Sequence, residues 1–344
     1  MSLNEMHHRP SPAVLRAIAV TAGEAQRTLD ALGSGLSRAI AGHLDVPASD
    51  ILVGPGSAAL LQQLFSTLTG PETDSLIAWP SWEAYPMMAG AAGSRTVRVP
   101  LDRQVHDLDA MADAVTDRVR LVIVCNPNNP TGTTVDHASL ERFLRRLPPH
   151  VTVVIDEAYR DFADDDRIAD SLALYRSDER VCVVRTFSKS YGLLSLRVGY
   201  LIGHRRTLAP LRVLQAFFRV GAVAQSAAIA ALGESGEVRE RWAATARDRE
   251  QLRTALREQG WEVTPSQANF LWLPMASDVE RFTQFCADNG VLVCGKPGEG
   301  VRVTVAEPEA NAAFATLAGR FRKGAPAPGA PDRDVPGSGA APSP

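Results

Sequence analysis

Three short apolar runs restrict the fold of this chain more than any other feature: residues 121–125 (Leu-Val-Ile-Val-Cys), 151–155 (Val-Thr-Val-Val-Ile) and 181–184 (Val-Cys-Val-Val). Runs of β-branched residues with little alternation suit strands covered on both faces, the condition of parallel sheets sandwiched by helices. Each run opens into a polar cluster. The first leads through Asn126 and Pro127 to Asn129-Pro130-Thr131-Gly132, the second to Asp156-Glu157-Ala158-Tyr159, and the third to Thr186 and Lys189. Asn129 and Asp156 are 27 residues apart, and Asp156 and Lys189 are 33 apart. Each interval is about the length of one strand plus its crossover, roughly 30 residues. Three polar clusters therefore leave consecutive strands at the same end of one sheet, where open α/β sheets take their ligands.

Around these strands the chain alternates. Short apolar stretches at 51–53, 75–79, 95–99 and 198–203 read as further strands, and 13–20, 33–44, 83–92 and 136–147 read as helices. Between the 51–53 strand and a helix carrying Leu60, Leu61, Leu64 and Leu68 lies Gly54-Pro55-Gly56-Ser57. Free N–H groups at such a helix start attract anions, although a simple serine cap leaves the same pattern. Beyond residue 203 helices are expected at 208–218, 223–232 and 238–259, the last long and charged, bridging to a smaller domain. That domain is expected to hold strands at 261–263, 270–273, 291–293 and 301–305, with helices at 279–289 and 308–321. The expected division is an N-terminal arm (1–30) serving the small domain and the site, a large domain (31–235), a small domain (236–322) and a tail (323–344). The tail is Pro, Gly, Ala and Ser without apolar periodicity, a composition expected to be disordered.

Charge and cysteine usage exclude several function classes. A net charge of −3 with no basic run gives no nucleic-acid footprint. No apolar stretch is long enough to span a bilayer, and the polar first residues carry no signal-peptide core. Cys125, Cys182, Cys286 and Cys294 lack paired metal-ligand spacing, so no metal site is expected, and a reduced, cytoplasmic setting is.

The strand-end residues suit one kind of chemistry. A lysine in a serine loop is ordinarily solvated, but Lys189 at a strand exit is placed to form a Schiff base with a carbonyl. An aspartate suits a pyridine nitrogen, which its charge keeps protonated so that the ring draws electrons. Tyr159 and Asn129 can donate to a ring oxygen, and Arg197, eight residues after Lys189, can hold a phosphate through two parallel hydrogen bonds. Pyridoxal phosphate makes all of these demands.

The ordered set Asn129-Pro130-Thr131-Gly132, Asp156-Glu157-Ala158-Tyr159, Thr186-Phe187-Ser188-Lys189 and Gly192 through Arg197-Val198-Gly199-Tyr200 resembles the class I/II aminotransferases of fold type I. Within them it most resembles the histidinol-phosphate aminotransferase branch, over nearly the whole chain up to about Arg322. The resemblance implies an α/β fold with a mostly parallel sheet sandwiched by helices in a large domain, a smaller α+β domain, and a homodimer taking a small-molecule amino donor and a keto acceptor. It implies that Lys189 carries the cofactor imine and moves the substrate proton, and that Asp156 pairs with the ring nitrogen. Tyr159 and Asn129 would meet the ring oxygen, while Ser57, Ala58, Thr186, Ser188 and Arg197 would hold the phosphate. Trp82 would stack on the ring, Arg302 would grip the substrate carboxylate, and Asn4 would contribute from the arm.

Departures from that pattern cluster on the substrate side. Thr28 replaces a tyrosine that reaches a phosphate across the dimer, Met6 and His7 replace Asn-Pro, Arg9 replaces a glycine, and Cys294 replaces an arginine that binds an anionic group. His7, His8 and Arg9 are candidates to make good the lost charge. A substrate other than histidinol phosphate is therefore expected. A decarboxylase resembling threonine-phosphate decarboxylase, an oxidase or a cyclase shares the scaffold, and a non-catalytic binding protein is the alternative of another class.

Overall fold

The computed structural model describes residues 1–324, apart from 167 and 216. The first part of the chain forms α1 (Pro12–Ala22), α2 (Ser34–Leu44), β1 (Ile51–Gly54), α3 (Ser57–Leu68), β2 (Asp74–Trp79), α4 (Ala84–Ala91) and β3 (Arg95–Pro100). There follow α5 (Leu108–Asp113), β4 (Val119–Cys125), α6 (His137–Arg146), β5 (Thr152–Asp156), α7 (Ser171–Ser177), β6 (Val181–Thr186) and β7 (Gly199–Ile202). The remainder is α8 (Arg205–Val213), α9 (Ala222–Gly233), α10 (Ser235–Glu258), β8 (Phe270–Pro274), α11 (Val279–Asp288), β9 (Cys294–Lys296), β10 (Gly300–Thr304) and α12 (Pro308–Arg322).

The large sheet has the order β1-β7-β6-β5-β4-β2-β3. Strands β3, β2, β4, β5 and β6 run parallel, while β7 is antiparallel to both β6 and β1. Side chains on its central strands divide between two cores. Val122, Val124, Val153, Ile155, Val181 and Val183 join the face covered by α1, α2, α5, α6, α7 and α9, whereas Leu121, Ile123, Val154, Cys182 and Val184 join the face covered by α3, α4 and α8. Both faces are dry, which is why the strands read as apolar runs without polar alternation.

The smaller domain has a three-stranded antiparallel sheet in the order β8-β10-β9. Its Leu271, Leu273, Val301 and Val303 pack with Leu252 and Leu256 of α10, Phe282 of α11, and Phe314 and Leu317 of α12. The architecture is thus a helix-sandwiched, mostly parallel sheet with a smaller α+β domain, as expected from the sequence.

Several elements differ from expectation. Residues 261–263 form no strand; Val263 is buried in the small-domain core, but the segment touches the sheet only through a single bridge from Thr264 to Trp272. The strand expected at 291–293 begins three residues later, at Cys294, because the preceding residues cross over from α11. Helix α8 stops at Val213, short of the expected 218. Helices α5 and α7 were not anticipated. Apart from residues 323 and 324, the tail lies outside the described residues. Among the described residues no helix is long and apolar enough to cross a membrane.

Candidate active site

Adjacent parallel strands β4, β5 and β6 deliver Asn129, Asp156 and Lys189 to the same end of the sheet, and β10 brings Arg302 opposite them. A cavity of about 590 Å³ lies between, lined by Asn129, Asp156, Tyr159, Thr186, Ser188, Lys189, Arg197 and Arg302, with Asn4, Ser57, Ala58 and Trp82 at its other walls. Every residue expected from the sequence to bind cofactor or substrate therefore reaches one cavity. Thr28 does not: it is exposed on the segment between α1 and α2. His7, His8 and Arg9 are also absent from the cavity wall; the rings of His7 and His8 lie 4.0 Å apart beyond it, and His7 lines a separate cleft on the far side of the arm.

Asp156, the last residue of β5, is buried. Its Oδ2 accepts from the Tyr85 hydroxyl at 2.7 Å and its Oδ1 from the Ala158 N–H at 3.1 Å. Burial raises its pKa to about 6, against the opposing pull of these two donors. A positive charge at the carboxylate would relieve that burial. Tyr85, on α4, was not singled out from the sequence, although it follows Trp82 by one helical turn; the two rings meet edge to face at 5.4 Å.

Lys189 Nζ donates to the backbone carbonyls of Leu3 and Asn4 at 3.0 and 3.2 Å. Burial first, then the charges of Arg302 and Arg197, lower its pKa to about 8. About a tenth of the amine is then unprotonated at neutrality, far more than for an ordinary lysine, and this is the form that attacks a carbonyl. Arg302 donates to Asn129 Oδ1 and to the Ser2 carbonyl, both at 2.6 Å, while its buried Nε finds no partner among the described residues. The N-terminal strap thus lies over the site through its main-chain oxygens, contacts that leave no mark in the side-chain sequence. Asn4 is locked to the small domain by Thr304 and donates to the Tyr159 hydroxyl at 2.9 Å. Tyr159 is buried, and that burial raises its phenol to about 12.

At the opposite end of the cavity the start of α3 meets Arg197. Gly56 precedes the helix with φ +84°, a conformation that strains any residue with a Cβ, and the helix start has no side-chain cap. A Cβ on Gly56 would stand 2.4 Å from Nη2 of Arg197. Glycine there lets the guanidinium lie against the free N–H groups of the helix, beside Ser188, whose Oγ accepts from Arg197 at 3.2 Å. Guanidinium, hydroxyl and helix N-terminus together form an anion cradle.

The pattern of the aminotransferase class I and II family matches residues 1–315. The chain belongs to this family. It is 47% identical over 324 residues to an aromatic amino acid aminotransferase of Streptomyces avermitilis, covering 94% of this chain and 90% of that protein. To an aromatic amino acid aminotransferase of Thermobifida fusca it is 45% identical over 323 residues, covering 94% and 90%. Its structure resembles that of the histidinol-phosphate aminotransferase of Sinorhizobium meliloti in complex with pyridoxal-5'-phosphate, with a TM-score of 0.88 and 26% identity over 94% of this chain and 90% of that one. This family member is an enzyme, a transferase that takes pyridoxal phosphate as cofactor. Its residues fit the group: the cradle that a Cβ on Gly56 would fill suits the phosphate, and the buried Asp156 suits a protonated ring nitrogen.

Proposed function

We propose that this aminotransferase moves the amino group of an aromatic amino acid to a keto acid. The observation that carries the reading is the character of the wall around Arg302. Leu3, Leu194, Trp82 and Val293 line the cavity with it, and its cross-strand partner Cys294 is short and neutral. An arginine beside an apolar stretch of wall holds a carboxylate at one end and leaves room for a ring at the other. The names of the Streptomyces avermitilis and Thermobifida fusca relatives support the same substrate class. The neutral Cys294 argues against histidinol phosphate, whose phosphate would lose a charge-assisted hydrogen bond of about 1.5–3 kcal/mol.

In this reading pyridoxal phosphate, when bound, supplies an aldehyde and an electron-drawing ring. Arg197, Ser188, Thr186 and the N–H groups of Ser57 and Ala58 hold the phosphate. Asp156 keeps the ring nitrogen protonated, and Tyr85 and Ala158 orient its carboxylate. Tyr159 donates its hydroxyl proton to the ring oxygen. The Asn129 carbonyl is occupied by Arg302, so its amide N–H is the group left to donate there. Trp82 closes one face. Arg302 takes the substrate carboxylate in place of the Ser2 carbonyl, its partnerless Nε completing the fork. Lys189, its amine pKa lowered to about 8, would be the group that accepts the Cα proton at Nζ and holds it for return.

A homodimer belongs to the same reading. Leu32, Val213, Leu214, Phe217 and Phe218 are exposed, and Leu32 and Phe217 line one cleft, a face suited to a second copy. We place the domain divisions at 30, 235 and 322, with the long α10 opening the small domain. A half-reaction panel tests the function: phenylalanine, tyrosine and tryptophan should convert the bound cofactor to its amine form with release of the keto acid. Faster conversion by histidinol phosphate, or carbon dioxide release in place of keto acid, would overturn it.

A further inference from the structure

Transamination requires one site to accept two substrates in turn, alike at the amino and carboxylate end and unlike in the side chain. Beside the apolar wall the structure carries a pair of opposite charges that the aromatic half-reaction does not use. Lys296 Nζ lies 2.7 Å from Glu83 Oε1, and the lysine side chain is only 10% exposed. Glu83 lines the active-site cavity together with Cys294 and Gly295.

The register of the small sheet fixes where Lys296 stands. Arg302 pairs with Cys294 and Gly300 with Lys296, so Arg302, Cys294 and Lys296 all project from one face. The opposite face, carrying Gly295, Val301 and Val303, packs on α11 and α12; a Cβ on Gly295 would meet the Thr283 side chain at 2.6 Å. Arg302 and Lys296 are thus diagonal neighbours, on the order of 7–8 Å apart at the backbone. Cys294, directly across from Arg302 and two residues before Lys296 on the same face, is too short to close the gap from its side. Lys296 lies behind Glu83, which lines the cavity, and the spacing of the two cations suits a dicarboxylate, one carboxylate on Arg302 and, once Glu83 turns away, the other on Lys296.

The counter-ion is placed to yield. Glu83 immediately precedes α4 and its side chain is 53% exposed, so it can turn into water. Holding the hairpin to the large domain does not depend on this ion pair, because Trp79 Nε1 donates to Glu299 Oε1 at 3.0 Å at the hairpin turn, with Arg98 stacked on the Trp79 ring at 4.4 Å. An ion pair with one half-exposed partner is in any case a weak source of stability.

We propose that Lys296 binds the distal carboxylate of a dicarboxylic second substrate, and that Glu83 is its displaceable counter-ion. Closed on each other, the two charges cancel and the cavity accepts an uncharged ring; with Glu83 turned away, Lys296 receives a carboxylate. The proposal deepens the transamination reading above and rests on it.

The test compares the holoenzyme with Lys296→Gln and Glu83→Gln in single-turnover half-reactions with glutamate and with phenylalanine. In Lys296→Gln the KM for glutamate should rise about tenfold or more, and the glutamate-to-phenylalanine ratio of kcat/KM should fall by a similar factor. In Glu83→Gln the KM for glutamate should move the opposite way, since the competing carboxylate is gone. A simple domain latch would be broken by either substitution, so changes in the same direction, or no change in the ratio, would overturn the proposal. Failure of the aromatic reading shows itself separately, as wild-type enzyme inert toward phenylalanine.

Discussion

The Tyr85 hydroxyl donates to Oδ2 of Asp156 at 2.7 Å, at the buried end of β5. Burial holds the Asp156 pKa at about 6, above the ordinary 3.8, so the folded apoenzyme binds this proton more tightly than the unfolded chain does. The resulting contribution to folding is complete below pH about 4 and is lost as pH rises through about 6. Urea unfolding of apoenzyme should therefore show wild type losing about 2 kcal/mol relative to Asp156→Asn between pH 4 and pH 7. Tyr85→Phe, which removes a donor to the carboxylate, should push that loss to higher pH. A constant difference between wild type and Asp156→Asn would contradict this account of the carboxyl.

Lys189 and Arg302 repel each other across the strap carbonyls, and the arginine charge is the second cause, after burial, of the lysine's lowered pKa. Only the free amine attacks an aldehyde. The rate at which apoenzyme takes up pyridoxal phosphate should rise with pH around a midpoint near 8. Arg302→Gln should move the midpoint toward the ordinary lysine value of 10.5. Stopped-flow absorbance reads both profiles, and superimposable curves would refute the coupling.

Gly56→Ala places a Cβ at positive φ and 2.4 Å from the Arg197 guanidinium. Backbone strain alone should destabilise the fold by about 1–3 kcal/mol. Displacement of Arg197 should weaken cofactor retention more than tenfold, measured by equilibrium dialysis. Arg197→Lys should also weaken retention without the strain, because an ammonium cannot supply the two parallel hydrogen bonds.

Cys294→Arg restores a cation opposite the substrate end of Arg302. Binding of histidinol phosphate should improve by about 1.5–3 kcal/mol, a gain of roughly ten- to a hundredfold. Phenylalanine turnover should fall as the guanidinium fills the space beside the apolar wall. Unchanged selectivity in the half-reaction panel would show that Cys294 does not set it.

Strand order and strand-end chemistry were readable because β4, β5 and β6 are covered on both faces and each ends at a residue with a distinct chemical task. Strand-end reading and the family resemblance together thus pointed to Asn129, Asp156, Lys189, Arg197 and Arg302, which line one cavity. The expected strand at 261–263 failed for a physical reason: Trp261 and Val263 carry the alternation of a strand, but they plug the small-domain core as a loop, and burial leaves the same pattern whether or not a ladder forms. The apolar residues Val291 and Val293 misled in the same way. Tyr85 was missed because its task depends on where α4 packs. The strap carbonyls of Ser2, Leu3 and Asn4 were missed because every residue has one. The Glu83–Lys296 pair joins residues more than two hundred positions apart and became visible only when the hairpin met α4.

The central claim is that Lys189 is the residue that bonds the cofactor. Borohydride reduction of the holoenzyme, followed by proteolysis and mass spectrometry, measures this directly. The account predicts a single phosphopyridoxyl adduct on Lys189, in the peptide that also contains Ser188 and Ser190, and none in Lys189→Ala. An adduct on Lys296, or no adduct in a protein that retains the cofactor, would contradict it.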